Sequence, residues 1–233
     1  MRGVAVAVKK DRPVRGGLSS PALSRLTIYY QVALRAGEDG RETLSSAHLA
    51  ALLHVDETLV RKDMAAVGIV GRPHVGFSTG EIIGHLQQIL GLSEIIDAIL
   101  IGCGSLGTAL LRYPGFARYG LRITAVFDAD HGKVGQMAGD YVVLPMEKCR
   151  SIIDTFRVKI AILAVPANAV QEITDWLIAR GIRAIWNFAP VQLKVPAGII
   201  ARNENLAVGL AQLMHQVRHP RGPAENHSSR SRK

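Results

Sequence analysis

Three glycines, Gly102, Gly104 and Gly107 in "ILIGCGSLGTALL", carry the spacing G-x-G-x-x-G. An apolar run precedes them and a helical pattern follows, the setting in which this spacing cradles a pyrophosphate. Gly102 permits a tight turn, Gly104 lets the backbone approach a phosphate, and Gly107 lets helix and strand pack closely. Cys103, Ser105 and Leu106 fill the intervening positions, and amides at the start of the helix meet the phosphate charge. Asp128 ends the next apolar run, 21 residues after Gly107. Its carboxylate would accept from the adenosine ribose hydroxyls and repel the extra phosphate of NADP, so the expected ligand is NAD+ or NADH. Asp130 and Lys133 are expected neighbours of that ligand.

"LAVPANAV" and "NFAPVQL" each put a proline just past the end of a predicted strand, at the edge where doubly wound folds bind ligands. Ala164, Val165, Pro166, Phe188 and Pro190 are therefore candidates to wall a nicotinamide pocket. A dehydrogenase would also need a proton-transfer group beside that pocket, commonly His, Tyr with Lys, or a metal. These stretches offer none, and no metal-ligand cluster occurs nearby. Binding without turnover is expected, with no catalytic and no metal-ligating residue. The alternative is a small NAD-dependent oxidoreductase whose N-terminal helices serve oligomerisation; a CoA-binding module is a weaker one.

The elements that must hold these residues follow from periodicity. "DAILIG", "LRITAVFD", "DYVVLP", "VKIAILAVP" and "IRAIWNF" read as strands, separated by helical stretches near 106–117, 146–156 and 167–180. Val- and Ile-rich runs alternating with helices imply a parallel, doubly wound, Rossmann-like sheet covered on both faces. A last helix, about 204–217, aligns Leu206, Leu210, Leu213, Met214 and Val217 on one stripe, to pack on its own domain or on a partner.

Before residue 97 the pattern differs. "SSPALSRLTIYYQVALRAG" predicts a helix over 21–36, "LSSAHLAALLHVDETLVRKDMAAVG" two short helices over 46–53 and 57–67 joined by a tight turn, and "GIVGRPHVGFSTG" a small hairpin. Helix, helix, helix, hairpin is the order of a winged helix-turn-helix. "TGEIIGHLQQILGL" predicts a connecting helix over 80–90. Arg61 and Lys62 fall on the second helix of the helix-turn-helix, the element that enters the major groove, and Arg72 and His74 fall on the wing. Ser46 opens the first of the two short helices and completes the candidate DNA contacts.

The chain has 233 residues and a net charge of +9, enough length for two cores. The charge is uneven: residues 1–20 and 218–233 carry +4 each, leaving +1 for the 197 positions between them, and residues 21–80 are neutral. Any DNA-facing surface must therefore be a local patch, and the two basic tails, expected to be disordered, add sequence-independent attraction to phosphate at most. Cys103 and Cys149 make neither a disulfide framework nor a metal site, and no apolar run approaches the roughly 18 to 20 residues that span a bilayer. The N-terminal apolar stretch is too short and too early for a usual secretory signal. A cytoplasmic protein is expected.

"SRLTIYYQVAL", "VRKDMAAVG", "GCGSLGTALLRYPGF", "VFDADHGKVG", "ILAVPANAVQ" and "NFAPVQLKVP", in that order, resemble the redox-sensing transcriptional repressors of the Rex family over about residues 20–217. The resemblance implies a winged helix joined to a Rossmann domain, a homodimer formed through an exchanged C-terminal helix, and a double-stranded palindromic operator held when NADH is scarce and released when it accumulates. It also implies the division 1–20 tail, 21–80 DNA-binding domain, 81–203 NAD(H)-binding domain, 204–217 dimerisation helix and 218–233 tail. The family usually has Arg after the paired aromatics of the first helix and "NVDL" before the last. This chain has Gln31 and "NENL", with Asn205 at the Asp position. Those two family positions, with a Tyr matching Tyr113, form a contact network that changes with cofactor state. Gln31, Tyr113 and Asn205 are accordingly read as a neutral version of that network, and Tyr113 is also counted among the coenzyme-binding residues. The family's "RGxGY" wing appears as "PHVGF", with Arg72 one place earlier.

Overall fold

The computed structural model describes residues 18–219; both basic tails lie largely outside this range. The described chain divides between Glu94 and Ile95 into two units.

In the first unit, α1 (Ser20–Glu38) starts where the Ser19 side chain accepts from the Ala22 amide, with Pro21 in the first turn. Leu26, Tyr29, Tyr30, Ala33 and Ala36 form its buried stripe. Strand β1 (Thr43–Leu44) leads into α2 (Ser46–Leu53), which ends on left-handed His54. Asp56 then caps α3 (Glu57–Ala66), accepting from the Thr58 amide at 2.6 Å. Strand β2 (Phe77–Ser78) and α4 (Thr79–Ile89) complete the unit, α4 burying Ile82 and Leu86 and packing on α1.

Two expectations change here. The hairpin narrows to a tight loop closed by one bridge, Arg72 to Gly76, and the strand leaving it pairs instead with β1. Gly76 (φ +97°) allows this: a Cβ there would stand 2.5 Å from the Leu44 carbonyl oxygen. The boundary expected at residue 80 falls after residue 94, because the apolar face of α4 belongs to the first core.

The second unit is a seven-stranded sheet built from β3 (Ile96–Ile101), β4 (Leu121–Asp128), β5 (Met137–Ala138), β6 (Tyr141–Pro145), β7 (Ile160–Leu163), β8 (Ala184–Asn187) and β9 (Ile200–Asn203), ordered β5-β6-β4-β3-β7-β8-β9. All pairings are parallel except β5 with β6. Without the two-residue β5, the order is the 3-2-1-4-5-6 of dinucleotide-binding sheets, with its switch point between β3 and β7. Strands β5 and β9 are absent from the sequence reading. The helix expected over 106–117 is two, α5 (Ser105–Leu111) and α6 (Gly115–Arg118), divided at Pro114. A 3₁₀ turn (Met146–Lys148) with α7 (Cys149–Phe156) joins β6 to β7, and α8 (Val170–Ile178) joins β7 to β8, whereas β4 to β6 and β8 to β9 are joined without a helix.

Helix α9 (Leu206–Arg218) ends the described chain. Val208, Leu210, Leu213, Met214 and Val217 are 45 to 72% exposed, so this stripe does not pack on its own domain. Among the described residues no helix is long and apolar enough to cross a membrane, and no group of three or more His, Cys, Asp or Glu is placed to hold a metal.

Candidate functional site

Every residue read as coenzyme-binding, Tyr113 apart, lies at the carboxyl edge of the sheet. Gly102 to Gly107 follow β3, Asp128, Asp130 and Lys133 end or follow β4, Ala164 to Pro166 follow β7, and Phe188 follows β8. Backbone hydrogen bonds knit this edge: the Gly102 amide donates to the Phe127 carbonyl (2.8 Å), Ala164 to Ile101 (2.9 Å) and Phe188 to Leu163 (2.9 Å).

The three glycines have different surroundings. Gly102 has φ +96°, and a Cβ would stand 2.5 Å from the Ala164 carbonyl oxygen; a Cβ on Gly107 would stand 2.0 Å from that of Gly102. Those two are closed by the protein itself. A Cβ on Gly104 would meet nothing within 4 Å, and Gly104, Ser105 and Leu106 are exposed. The loop therefore has backbone packing behind it and a bare backbone in front, which suits a dinucleotide pyrophosphate.

Asp128 is more occupied than its expected role suggests. Its Oδ2 accepts from the Cys103 amide (2.7 Å) and from Lys133 Nζ (3.1 Å), and its Oδ1 from the Asp130 amide (2.9 Å). Burial favours the neutral acid, but the donors from Asp130, Cys103 and Lys133 outweigh it and hold the carboxyl below the usual carboxylate range. A carboxylate offers about four lone-pair sites, so Oδ1 keeps one acceptor for a ribose hydroxyl. Asp128 is thus also the clamp that holds the glycine loop to the end of β4. Cys103 and Cys149 are buried free thiols, and burial pushes Cys149 up to about 12, which leaves it unreactive.

An aromatic series crosses the same unit: Tyr113 meets Phe116 edge-on (5.2 Å between ring centroids), Phe116 meets Trp186 (5.6 Å), and Trp186 meets Phe188 (5.1 Å). Tyr113 lies over Gly115, where a Cβ would stand 2.2 Å from its ring. Buried Asn187 orders the loop after β8, accepting from the Ala189 amide and donating to the Ala189 and Val191 carbonyls and to Asn203 Oδ1. Sequence reasoning missed Phe116, Trp186 and Asn187. The Asn-Phe-Ala-Pro string carried a signal for Asn187, a polar residue at the end of an apolar strand.

In the first unit the DNA candidates converge. Ser46, Arg61, Arg72 and His74 line one groove of about 500 Å³ between α2, α3 and the wing. Lys62 is exposed on α3, outside that groove. Glu57 organises its floor, accepting from Ser46 Oγ (3.0 Å) and Arg61 Nη1 (3.3 Å). The Arg61–Glu57 pair is exposed and weak, of the order of 0–1 kcal/mol, so Arg61 is readily released to a phosphate or base.

Behind the exposed basic pair, Asp63 is buried and receives Arg25 through two bonds, 2.6 Å from Nε and 2.8 Å from Nη2, and a third from Tyr29 at 3.1 Å. This triad fixes α3 on α1. Burial, reinforced by the Asp63 charge, pushes the Tyr29 phenol up to about 12. The unfolded phenol ionises near its ordinary value of about 10, so the stabilisation is complete below pH 10 and disappears as pH rises from about 10 to 12. Alkaline unfolding curves of wild type and Tyr29→Phe are expected to differ in this window, the variant lacking that part of the decline.

The three switch candidates are exposed: Gln31 on α1 in the first unit, Tyr113 and Asn205 in the second. Asn205 caps α9, accepting from the Ala207 amide at 3.0 Å. Amide and acid cap about equally well, so the chain keeps the cap without the charge.

Two family models match the chain, one described as "CoA binding domain" over residues 93–191 and one as "Putative DNA-binding protein N-terminus" over 17–65. The redox-sensing transcriptional repressor Rex of Rhodopirellula baltica is 37% identical over 203 residues, covering 87% of this chain and 86% of its own. That of Pelotomaculum thermopropionicum is 39% identical over 191 residues, covering 82% and 90%. Among solved structures, RSP in complex with β-NAD+ and operator DNA is similar with a TM-score of 0.80 at 29% identity, covering 87% of this chain and 94% of that one. RSP in complex with β-NADH gives 0.77 at 28% identity, covering 87% and 95%.

Proposed function

The chain belongs to the Rex family of redox-sensing transcriptional repressors, and on that premise we propose that its two units form a coenzyme-gated DNA switch. The protein is a regulator, not an enzyme. It represses transcription by holding operator DNA and releases it when NADH binds, so that the NADH/NAD+ ratio sets the response. The observation that carries this reading is the likeness, over both units, to a structure that holds NAD+ and operator DNA together.

On this reading the Gly102–Gly107 loop holds the pyrophosphate, Asp128 with Asp130 and Lys133 the adenosine ribose, and Ala164, Val165, Pro166 and Phe188 the nicotinamide. When bound, the coenzyme supplies a ring that is cationic when oxidised and neutral when reduced. The uncharged wall accepts the neutral ring at lower desolvation cost. That gives the two forms the unequal affinity that any shift between arrangements requires. A swing from 1:99 to 99:1 needs about 5.5 kcal/mol in total, roughly half of it from each subunit of a dimer.

The exposed stripe on α9 supports a homodimer formed through that helix. A two-fold dimer reads a palindromic site, its half-site readers spaced by about 34 Å or a multiple. Arg61, Lys62, Arg72, His74 and Ser46 are the proposed contacts, and Gln31, Tyr113 and Asn205 the neutral switch positions. A repressor works where the chromosome is, which supports a cytoplasmic location. Ionised Asp128 disfavours a phosphorylated ribose, and so CoA and NADP.

The test is fluorescence anisotropy on palindromic DNA, with NAD+, NADH or CoA added, beside absorbance assays of NADH with carbonyl substrates. Specific binding relieved by NADH, with no NADH consumption, is expected. Steady NADH oxidation, or relief by CoA alone, contradicts the reading.

A further inference from the structure

Trp186 and Phe188 are two residues apart on one strand and its extension, so their rings share a face of the sheet. Phe188 follows β8 at the carboxyl edge, its amide donating to the Leu163 carbonyl (2.9 Å) next to Ala164, and is one of the proposed nicotinamide-wall residues. In the other direction Trp186 reaches across to β9: its Nε1 donates to Glu204 Oε1 at 3.2 Å, and Arg202 Nε donates to the same oxygen at 2.8 Å. Glu204 is also tied through its backbone amide to the Asn187 carbonyl (2.8 Å). The residue after it, Asn205, is the cap of α9. One indole therefore touches the coenzyme wall with its ring and the root of α9 with its N–H.

From this juxtaposition we infer that Trp186 and Glu204 are positioning residues of the redox response, carrying a change at the Phe188 wall to the base of α9. The inference rests on the coenzyme-gated reading above and adds the residues that transmit it. A displaced Phe188 ring meets the Trp186 ring, since cores respond by discrete repacking rather than continuous deformation. Trp186 has no slack in the sheet plane, because β8 is paired on both edges. Its remaining freedom is to tilt, and tilting changes the Nε1 to Glu204 bond. Because the acceptor is a carboxylate, this is the stronger kind of hydrogen bond.

The readout is the ratio of operator Kd with saturating NADH to operator Kd without coenzyme. Trp186→Phe, which keeps a ring in the stack, and Glu204→Ala are expected to lower this ratio about tenfold. Both should leave NADH affinity and coenzyme-free operator affinity within about twofold of wild type. Glu204→Gln, which keeps an acceptor, should retain most of the ratio. The indole N–H resonance of Trp186, assigned with Trp176→Phe, should move when NADH is added to wild type. An unchanged ratio in Trp186→Phe and Glu204→Ala, loss of coenzyme affinity along with the ratio, or a static indole resonance would each overturn the link. Wild-type protein whose own operator affinity ignores NADH would refute the repressor reading and the link with it, whereas failure of the link alone leaves the wild-type ratio high and unchanged in the variants.

Discussion

Asp63→Ala is expected to abolish operator binding while leaving NADH affinity unchanged. Asp63 is a buried carboxylate satisfied by three donors from α1, so its removal leaves the Arg25 guanidinium without its partner and frees α3 from α1. Breaking such a pair by removing one partner costs about 3 to 5 kcal/mol, a large share of what a small unit has. Both tryptophans, Trp176 and Trp186, lie in the second unit. The expected signature is thus an early loss of helical circular dichroism with tryptophan fluorescence unchanged, and normal NADH binding. Replacing both charges together, as in Arg25→Met with Asp63→Leu, should recover much of the stability, because the desolvation cost disappears with the charges. Unaltered unfolding of Asp63→Ala would show that the triad does not hold the recognition helix.

Gly104→Val is expected to yield a repressor that folds, binds operator and no longer responds to coenzyme. A Cβ at Gly104 meets no protein atom within 4 Å, so the fold accommodates it, yet it occupies the space in front of the loop where a pyrophosphate must approach. A loss of about 100-fold or more in NADH affinity is expected, roughly 2.7 kcal/mol, measured by calorimetry. Gly107→Ala provides the contrast: its Cβ would collide with the Gly102 carbonyl, so it should destabilise the second unit as well. If Gly104→Val bound NADH normally, the pyrophosphate would not lie against this loop.

The sheet and the glycine loop were legible because their signals are local: apolar runs of strand length, and three glycines whose spacing has a steric meaning. The winged helix was legible from the order of three helices and a hairpin; the caps Ser45 and Asp56 start α2 and α3 in the fold. What escaped depended on contacts distant in sequence. Strand β9 shows no strong alternation, and only pairing with β8 defines it. The wing strand was assigned to its nearest neighbour in sequence, whereas it pairs with Thr43–Leu44, more than 30 residues earlier. Nothing local marks Asp63, next to exposed Arg61 and Lys62, as buried; its burial depends on Arg25 and Tyr29, some 35 residues away. Asp128 was legible as the end of β4, but its hold on the Cys103 amide belongs to the folded loop alone.

The most direct test is operator affinity of the full-length protein at one fixed salt concentration, followed as the NADH/NAD+ ratio is raised at constant total coenzyme. Salt must be held because phosphate contacts make affinity steeply salt-dependent. Operator Kd should rise at least about tenfold, or 1.4 kcal/mol, between the oxidised and reduced extremes. A Kd that stays flat across that range, in protein shown to bind both forms, would contradict the coenzyme-gated switch.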